Sequence, residues 1–234
     1  MACLHLLITG ASRGLGLGLV EHCLGDGHQV WAMVRRSSEA LAALGEKHAG
    51  RLHCVEGDVS DIASVGRALT AVGSQTTHLD VLINNAGMDP EKSGARIDDV
   101  DFSEFAGVFA VNSTGPMVVA QQALPLLRAG GKKLIVNVSS TAGAIGAQTW
   151  GAAFAYCMSK AALNMGGRIL GNALRDEEIR VLAVHPGWFS SEMGGADAPI
   201  TPSEAAEVLM DTLIRAERLP EGDFLGPDGE ALAW

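Results

Sequence analysis

The 234-residue sequence predicts an α/β fold, a mostly parallel seven-stranded sheet wound in two directions with helices on both faces. Three observations predict it. Short apolar runs alternate with longer segments of helical period. The runs suit strands buried on both faces of a sheet. The first run opens into a glycine-rich turn and then a helix.

Taken in order, residues 3–9 (CLHLLIT) read as a first buried strand, and 15–24 place apolar residues on a helical face. Residues 30–34 (VWAMV) are a second strand, followed by an Ala/Leu-rich helix over 39–48. A third strand at 51–56 leads into a helix over 60–72, which either Asp58 or Ser60 is placed to cap. Residues 79–83 (LDVLI) are a fourth strand, and the polar stretch 87–100 is a surface loop. A long helical segment spans 102–127, and Pro116 inside it predicts a bend or break. Residues 133–138 form a fifth strand, 152–174 a helix of small and apolar residues, and 180–184 a sixth strand. A Gly/Pro/Ala-rich stretch precedes a helix over 203–215, and the tail GDFLGPDGEALAW suits a last strand and turn. Right-handed crossovers leave the doubly wound Rossmann-type sheet as the topology. Neither a Pro/Ser linker nor a composition shift divides the chain, so 1–234 reads as one domain.

Composition excludes several function classes. With 47% hydrophobic and 19% charged residues the chain can bury a sizeable core, unlike a disordered one. The net charge of −10 argues against a nucleic-acid surface, which needs clustered cations to displace counterions. The four cysteines are scattered without a C-x-x-C pair, and the histidines lack zinc spacing, so no metal is expected. No apolar run reaches the roughly 18 residues of a membrane span. The N-terminus lacks the charged region of a signal peptide, and a cytoplasmic protein is expected.

The sharpest motif is Thr9-Gly10-Ala11-Ser12-Arg13-Gly14-Leu15-Gly16, between the first strand and the first helix. Such a turn offers backbone N–H groups and the positive end of a helix to a pyrophosphate. Its spacing is G-x-x-x-G-x-G, and Leu19 stands where the G-x-G-x-x-G fingerprint would need its third glycine. With Asn84-Asn85-Ala86-Gly87 after the fourth strand and Tyr156-x-x-x-Lys160, this turn resembles the short-chain dehydrogenase/reductase family. The resemblance covers nearly the whole chain in the expected order. It implies cofactor contacts from Gly10, Ser12, Arg13, Gly14, Leu15, Gly16, Asn85, Ala86 and Gly87.

The second strand ends Val34-Arg35-Arg36-Ser37, with no acidic residue between 30 and 38. NAD sites place a carboxylate here to hold the ribose hydroxyls, whereas an arginine clamps a 2′-phosphate. Arg35, with Arg13 as a second cation, therefore points to NADP(H), NAD(H) being the weaker alternative. By resemblance, Asp58 and Val59 contact the adenine.

Tyr156 is the only tyrosine, and Lys160, four residues on, projects from the same helical face. An unperturbed phenol titrates near 10, so a neighbouring ammonium, together with the charge on an oxidised nicotinamide, is expected to favour the phenolate and bring it toward working range. Tyr156 would then be the general acid/base, protonating the alkoxide as a carbonyl is reduced. The family places a substrate-orienting serine at the end of the fifth strand. Ser140 matches best and Ser139 is the fallback. Lys160 would also hold the nicotinamide ribose, and Asn112 a water that links Lys160 to solvent. Pro186, Gly187 and Trp188 match the segment bordering the nicotinamide. Ser191 matches a threonine that touches the cofactor.

Within the family, the stretch from Phe154 to Asn164, the long Ser140–Tyr156 spacing and His185-Pro186-Gly187-Trp188 are similar to the C-factor and sniffer-type carbonyl reductases. Glu192-Met193-Gly194-Gly195 and Trp234 add to this likeness, with Glu192 and Ser191 in place of the more usual Asp and Thr. The substrate pocket is expected among residues 88–96, 144–150 and 188–198, with 187–202 as substrate loop. An NADPH-dependent reductase of ketones, aldehydes or quinones, running in reverse as an alcohol dehydrogenase, is the leading reading. The alternative is a dinucleotide-binding signalling protein of the C-factor type with little turnover. A sugar-nucleotide epimerase or dehydratase would need a longer segment after Pro186. Family members often form homodimers or homotetramers through helices matching 102–127 and 152–174. The small residues of the second helix suit such packing, or packing on its own sheet.

Overall fold

The computed structural model describes residues 2–90, 96–215 and 223–234. Seven strands form its sheet: β1 (His5–Thr9), β2 (Gln29–Val34), β3 (Leu52–Glu56), β4 (Val81–Asn84), β5 (Leu134–Val138), β6 (Arg180–Val184) and β7 (Phe224–Leu225). Their order is β3-β2-β1-β4-β5-β6-β7. Every pairing is parallel, so the mostly parallel sheet expected from sequence is wholly parallel. Ile8 lies level with Ala32 on one side and Ile83 on the other, and Val136 continues the row to Leu182.

Successive strand residues alternate between two buried faces. Leu6, Ile8, Val30, Ala32, Ile83 and Val136 pack under α1 (Gly14–Gly25) and α7 (Pro202–Leu209). Leu7, Trp31, Met33, Leu82 and Ile135 pack under α3 (Ile62–Gly73) and α5 (Gly115–Arg128). Burial on both faces is why the strands read as continuous apolar runs. Two further helices complete the early and late halves, α2 (Glu39–Lys47) and α6 (Phe154–Ala173). Among the described residues, no helix is long and apolar enough to cross a membrane.

One expectation needs correction. Neither Asp58 nor Ser60 caps α3; Asp61 does, accepting hydrogen bonds from the N–H groups of Ala63 and Ser64. Asp58 is instead engaged with Ser60, whose N–H and hydroxyl both donate to it. The segment 102–127 is helical with an interruption, as Pro116 predicts, and the irregular turn lies just ahead of the proline. A 3-10 turn at Phe102–Glu104 leads to the short α4 (Phe105–Phe109), then a π-helical turn at Ala110–Thr114, then α5. The Gly115 N–H reaches back five residues to the Ala110 carbonyl, and Pro116 follows in the first turn of α5, where its missing N–H is tolerated. The helix over 203–215 begins at Pro202, under a Thr201/Glu204 capping box, and becomes a π-helix at Met210–Arg215.

At the opposite end of the sheet from the glycine turn, four rings stack in a row across three strands. Trp31 lies parallel to His53 at 4.8 Å, His5 leans on Trp31 at 5.3 Å, and His78 stacks on His5 at 4.1 Å. Burial lowers the pKa of His5, with the charge of His78 adding to it, and burial also lowers His53 and His28. The unfolded chain therefore binds protons that the folded chain refuses. Stability is complete above the unfolded histidine pKa of about 6.5 and is lost as pH falls from there through the depressed folded values. Asp26 and Asp80 are held below the usual carboxylate value, so their contribution is lost only at still lower pH. Thermal melts are expected to show a lower Tm at about pH 5 than at about pH 7.5, with His5→Gln reducing the difference. A flat profile would show that the histidine row is indifferent to protonation.

Candidate active site

The sheet order reverses between β1 and β4, and the crevice at the carboxyl ends of the strands there is where doubly wound sheets receive ligands. On one side stands the glycine turn. Gly10 has φ +67°, and a side chain on it would come 2.7 Å from the Ala86 Cα. The close approach is fixed by Thr9, whose hydroxyl accepts from the N–H groups of Asn85 and Ala86 at 3.1 Å each. Asn85 answers by donating its carboxamide to the carbonyls of Thr9 at 2.9 Å and Gly10 at 3.1 Å. Its side chain thus braces the turn. Gly14, at φ +56°, begins α1 with open space above it. Among the described residues no side chain caps this helix, and no acidic residue occupies its first turn, so an anion would find unshared N–H donors there.

At the end of β2, Arg35 is exposed and makes no ion pair among the described residues. The Ser60 hydroxyl, together with the charge of Arg35, holds the Asp58 carboxyl below its usual range. Val59 beside it is buried. Ser38 caps α2 and donates its hydroxyl to the Ser12 carbonyl at 2.6 Å, tying this loop to the glycine turn. Arg13 forms an ion pair with Glu192, which links the glycine turn to the loop after β6.

Across the crevice, Ser140 sits at the end of β5, and its hydroxyl accepts from the Ala142 N–H at 3.1 Å. The Tyr156 hydroxyl, on the first turn of α6, hydrogen-bonds Ser140. Ser139 faces away, donating to Asn164 at 2.6 Å inside the core, so of the two serines only Ser140 meets the tyrosine. Lys160 lies 5.6 Å from the centre of the Tyr156 ring, is almost wholly buried, and donates to the Val138 carbonyl at 2.8 Å.

In the chain by itself the ammonium does not lower the phenol. Burial pushes Tyr156 up to about 12, against the opposing pull of the Ser140 hydrogen bond. Burial likewise pulls Lys160 down to about 8. Removing both groups from water penalises the charged form of each, and the ammonium is turned toward Val138.

Asn112 reaches the crevice from the π-helical turn. Its carboxamide accepts from Met88 N–H at 2.9 Å and donates to the Met88 carbonyl at 2.8 Å and to Ser159 Oγ at 3.0 Å. Its backbone carbonyl is left without the usual α-helical donor, because the residue four further on is Pro116. A side chain at Gly87 would come within 3.6 Å of Asn112 Oδ1 and 3.9 Å of Lys160 Nζ, so glycine keeps this floor clear.

Residues 4–199 match the short chain dehydrogenase family. The chain belongs to it. Among its relatives is the C-signal of Myxococcus xanthus, 37% identical over 161 residues, covering 68% of this chain and 95% of the relative. The carbonyl reductase Sniffer of D. melanogaster superposes over the whole of both chains with a TM-score of 0.92 at 31% identity. An NADPH-bound carbonyl reductase from chicken fatty liver does so with a TM-score of 0.87, also at 31% identity.

In this member of the family the segment after β6 carries the buried Pro186 and Gly187 at φ +84° just past His185. The loop is knitted to itself. The Trp188 indole donates to the Gly194 carbonyl at 2.7 Å, Ser191 Oγ accepts from the Gly194 N–H at 2.8 Å, and Phe189 bridges to Ile200. Trp188, Met193, Ile145 and Trp150 all expose their side chains on the loops expected to line the pocket. Of the expected lining, residues 91–95 lie outside the described residues.

Sequence reasoning passed over three supporting residues. Ser159 donates to the Tyr156 carbonyl at 2.8 Å while receiving Asn112, and Ser113 donates to the Ser159 carbonyl at 2.8 Å. Asn164 receives Ser139 and donates to the Gly143 carbonyl at 3.3 Å. Tyr156, Lys160 and Asn164 recur every four residues along one helical face, and that stripe was the available signal for Asn164.

Proposed function

We propose that the chain is an NADPH-dependent carbonyl reductase acting on a ketone, aldehyde or quinone, and on a secondary alcohol in reverse. One observation carries the reading: the Ser140–Tyr156 hydrogen bond beside a buried Lys160, facing the glycine turn across the crevice. The residues present fit the dinucleotide. Gly10, Ser12, Arg13, Gly14, Leu15 and Gly16 would cradle the pyrophosphate, and Arg35 would take the 2′-phosphate with Arg13 beside it. Asp58 and Val59 would border the adenine. Asn85, Ala86, Gly87, Pro186, Gly187, Trp188 and Ser191 would line the path to the nicotinamide. Bound NADPH supplies the hydride that reduces the carbonyl carbon.

Ser140 donates a hydrogen bond to the carbonyl oxygen and orients it. Tyr156, held neutral by burial at about 12, keeps its proton at neutral pH and delivers it to that oxygen. Lys160 at about 8 is mostly charged at neutral pH and stabilises the phenolate left behind. A water on the Asn112 carbonyl would return a proton to Lys160. Residues 1–234 act as one dinucleotide-binding and catalytic domain, with 187–202 as the loop over the substrate.

The test pairs binding with turnover on the purified protein. Fluorescence titration is expected to give tighter binding for NADPH than for NADH, and NADPH consumption is expected with members of a ketone, aldehyde and quinone panel. Tight NADPH binding without turnover across the panel would favour a dinucleotide-binding signalling protein, a reading the C-signal relative supports.

A further inference from the structure

The segment after β7 doubles back and ends beside the substrate side of the crevice. Leu225 and Ala231 form an antiparallel bridge, and the Leu232 N–H donates to the Phe224 carbonyl at 2.8 Å. The return carries Trp234 onto Phe224, their rings stacked at 5.2 Å, and the Arg168 guanidinium of α6 lies 5.9 Å from the indole on its way to an ion pair with Asp223. From there the Trp234 backbone oxygen accepts the Gly146 N–H at 3.3 Å.

Gly146 belongs to the loop that links Ser140 to α6. That loop rests on α6 from one side, since a side chain on Gly143 would come 2.6 Å from the Lys160 carbonyl carbon. It is held from the other side by the return segment. Ala144 of the loop, Ala183 of β6 and Phe224 of β7 form a small buried cluster, with Leu232 packed against it. On either side of Gly146, Ile145 and Trp150 stand exposed.

We infer that Trp234 is a positioning residue that sets the height of the Ile145–Trp150 lip through Gly146, and so decides how bulky a carbonyl substrate the pocket accepts. Arg168 and Phe224 both lie against the indole, and the indole holds the backbone that meets Gly146. The inference about substrate size rests on the reductase reading; the mechanical link does not.

Two measurements separate them. Amide hydrogen exchange on Trp234→Ala needs no turnover, and faster exchange confined to residues 141–148 is expected, with Trp234→Phe restoring slow exchange. Unchanged exchange there, or acceleration throughout the sheet, would overturn the link. With a bulky carbonyl substrate, Trp234→Ala is expected to raise KM about tenfold while kcat and NADPH affinity stay within about twofold. Trp234→Phe is expected to keep the parent KM. A lower Tm with unchanged KM would mark a merely structural residue and overturn the assignment. Absence of turnover in the parent protein would strike the reductase reading and leave the exchange result standing.

Discussion

Tyr156→Phe is expected to lower kcat by at least about 100-fold, the lower range for loss of a positioned general acid, while NADPH binds as before. The substitution removes one oxygen and leaves the ring beside Lys160. Ser140 loses its hydrogen-bonding partner but keeps the Ala142 N–H, so the end of β5 stays in place. Because Tyr156 is the only tyrosine, phenolate absorbance in the parent protein reports this one site. Titration is expected far above the ordinary phenol value, toward about 12, and the signal should vanish in the variant. NADPH consumption at the parent rate in the variant would overturn the proton-donor role.

Arg35→Asp is the second large effect. NADPH affinity should fall about 100-fold, near 3 kcal/mol, because charge-assisted hydrogen bonds to the phosphate are lost and a like charge takes their place. NADH affinity should change by less than about threefold, since NADH offers that position only a hydroxyl. Arg35 is exposed and unpaired among the described residues, so the fold does not depend on it. Equal losses for both dinucleotides, measured by fluorescence titration, would refute the 2′-phosphate assignment. Arg13 makes a poorer single test, because its ion pair with Glu192 couples any change there to the loop after β6.

These residues were legible because each stands where an element begins or ends. β6 was read at its observed bounds, since Gly/Pro-rich sequence follows it directly and the run is short and β-branched. The glycine turn declared itself by its place between a strand and a helix. Other features had no readable signal. The cap of α3 was misplaced because Asp58, Ser60 and Asp61 are all competent acceptors, and which of them caps depends on Asp58 having already taken Ser60. Burial, which drives Tyr156 and Lys160 apart in pKa, is a property of the assembled crevice and not of the four-residue spacing. The small residues of α6 suit a partner helix and its own sheet equally by composition, and only packing decides between them. A side chain on Gly167 would come 3.0 Å from Asn137 Nδ2 in β5, so at that position the small residue lets the helix settle on its own sheet.

The π-helical turn at Ala110–Thr114 carries a consequence for how this stretch can vary. A regular helix turns about 100° per residue, and the wide turn accommodates one residue beyond that repeat. Loss of any single residue there would restore an even helix, but at the cost of phase. Asn112 and Ser113, which now both grip α6 at Ser159, would swing out of reach, and α4 would rotate with them. The length of the turn is therefore as constrained as the side chains of Asn112 and Ser113, and the turn acts as a spacer that keeps both in phase with α6.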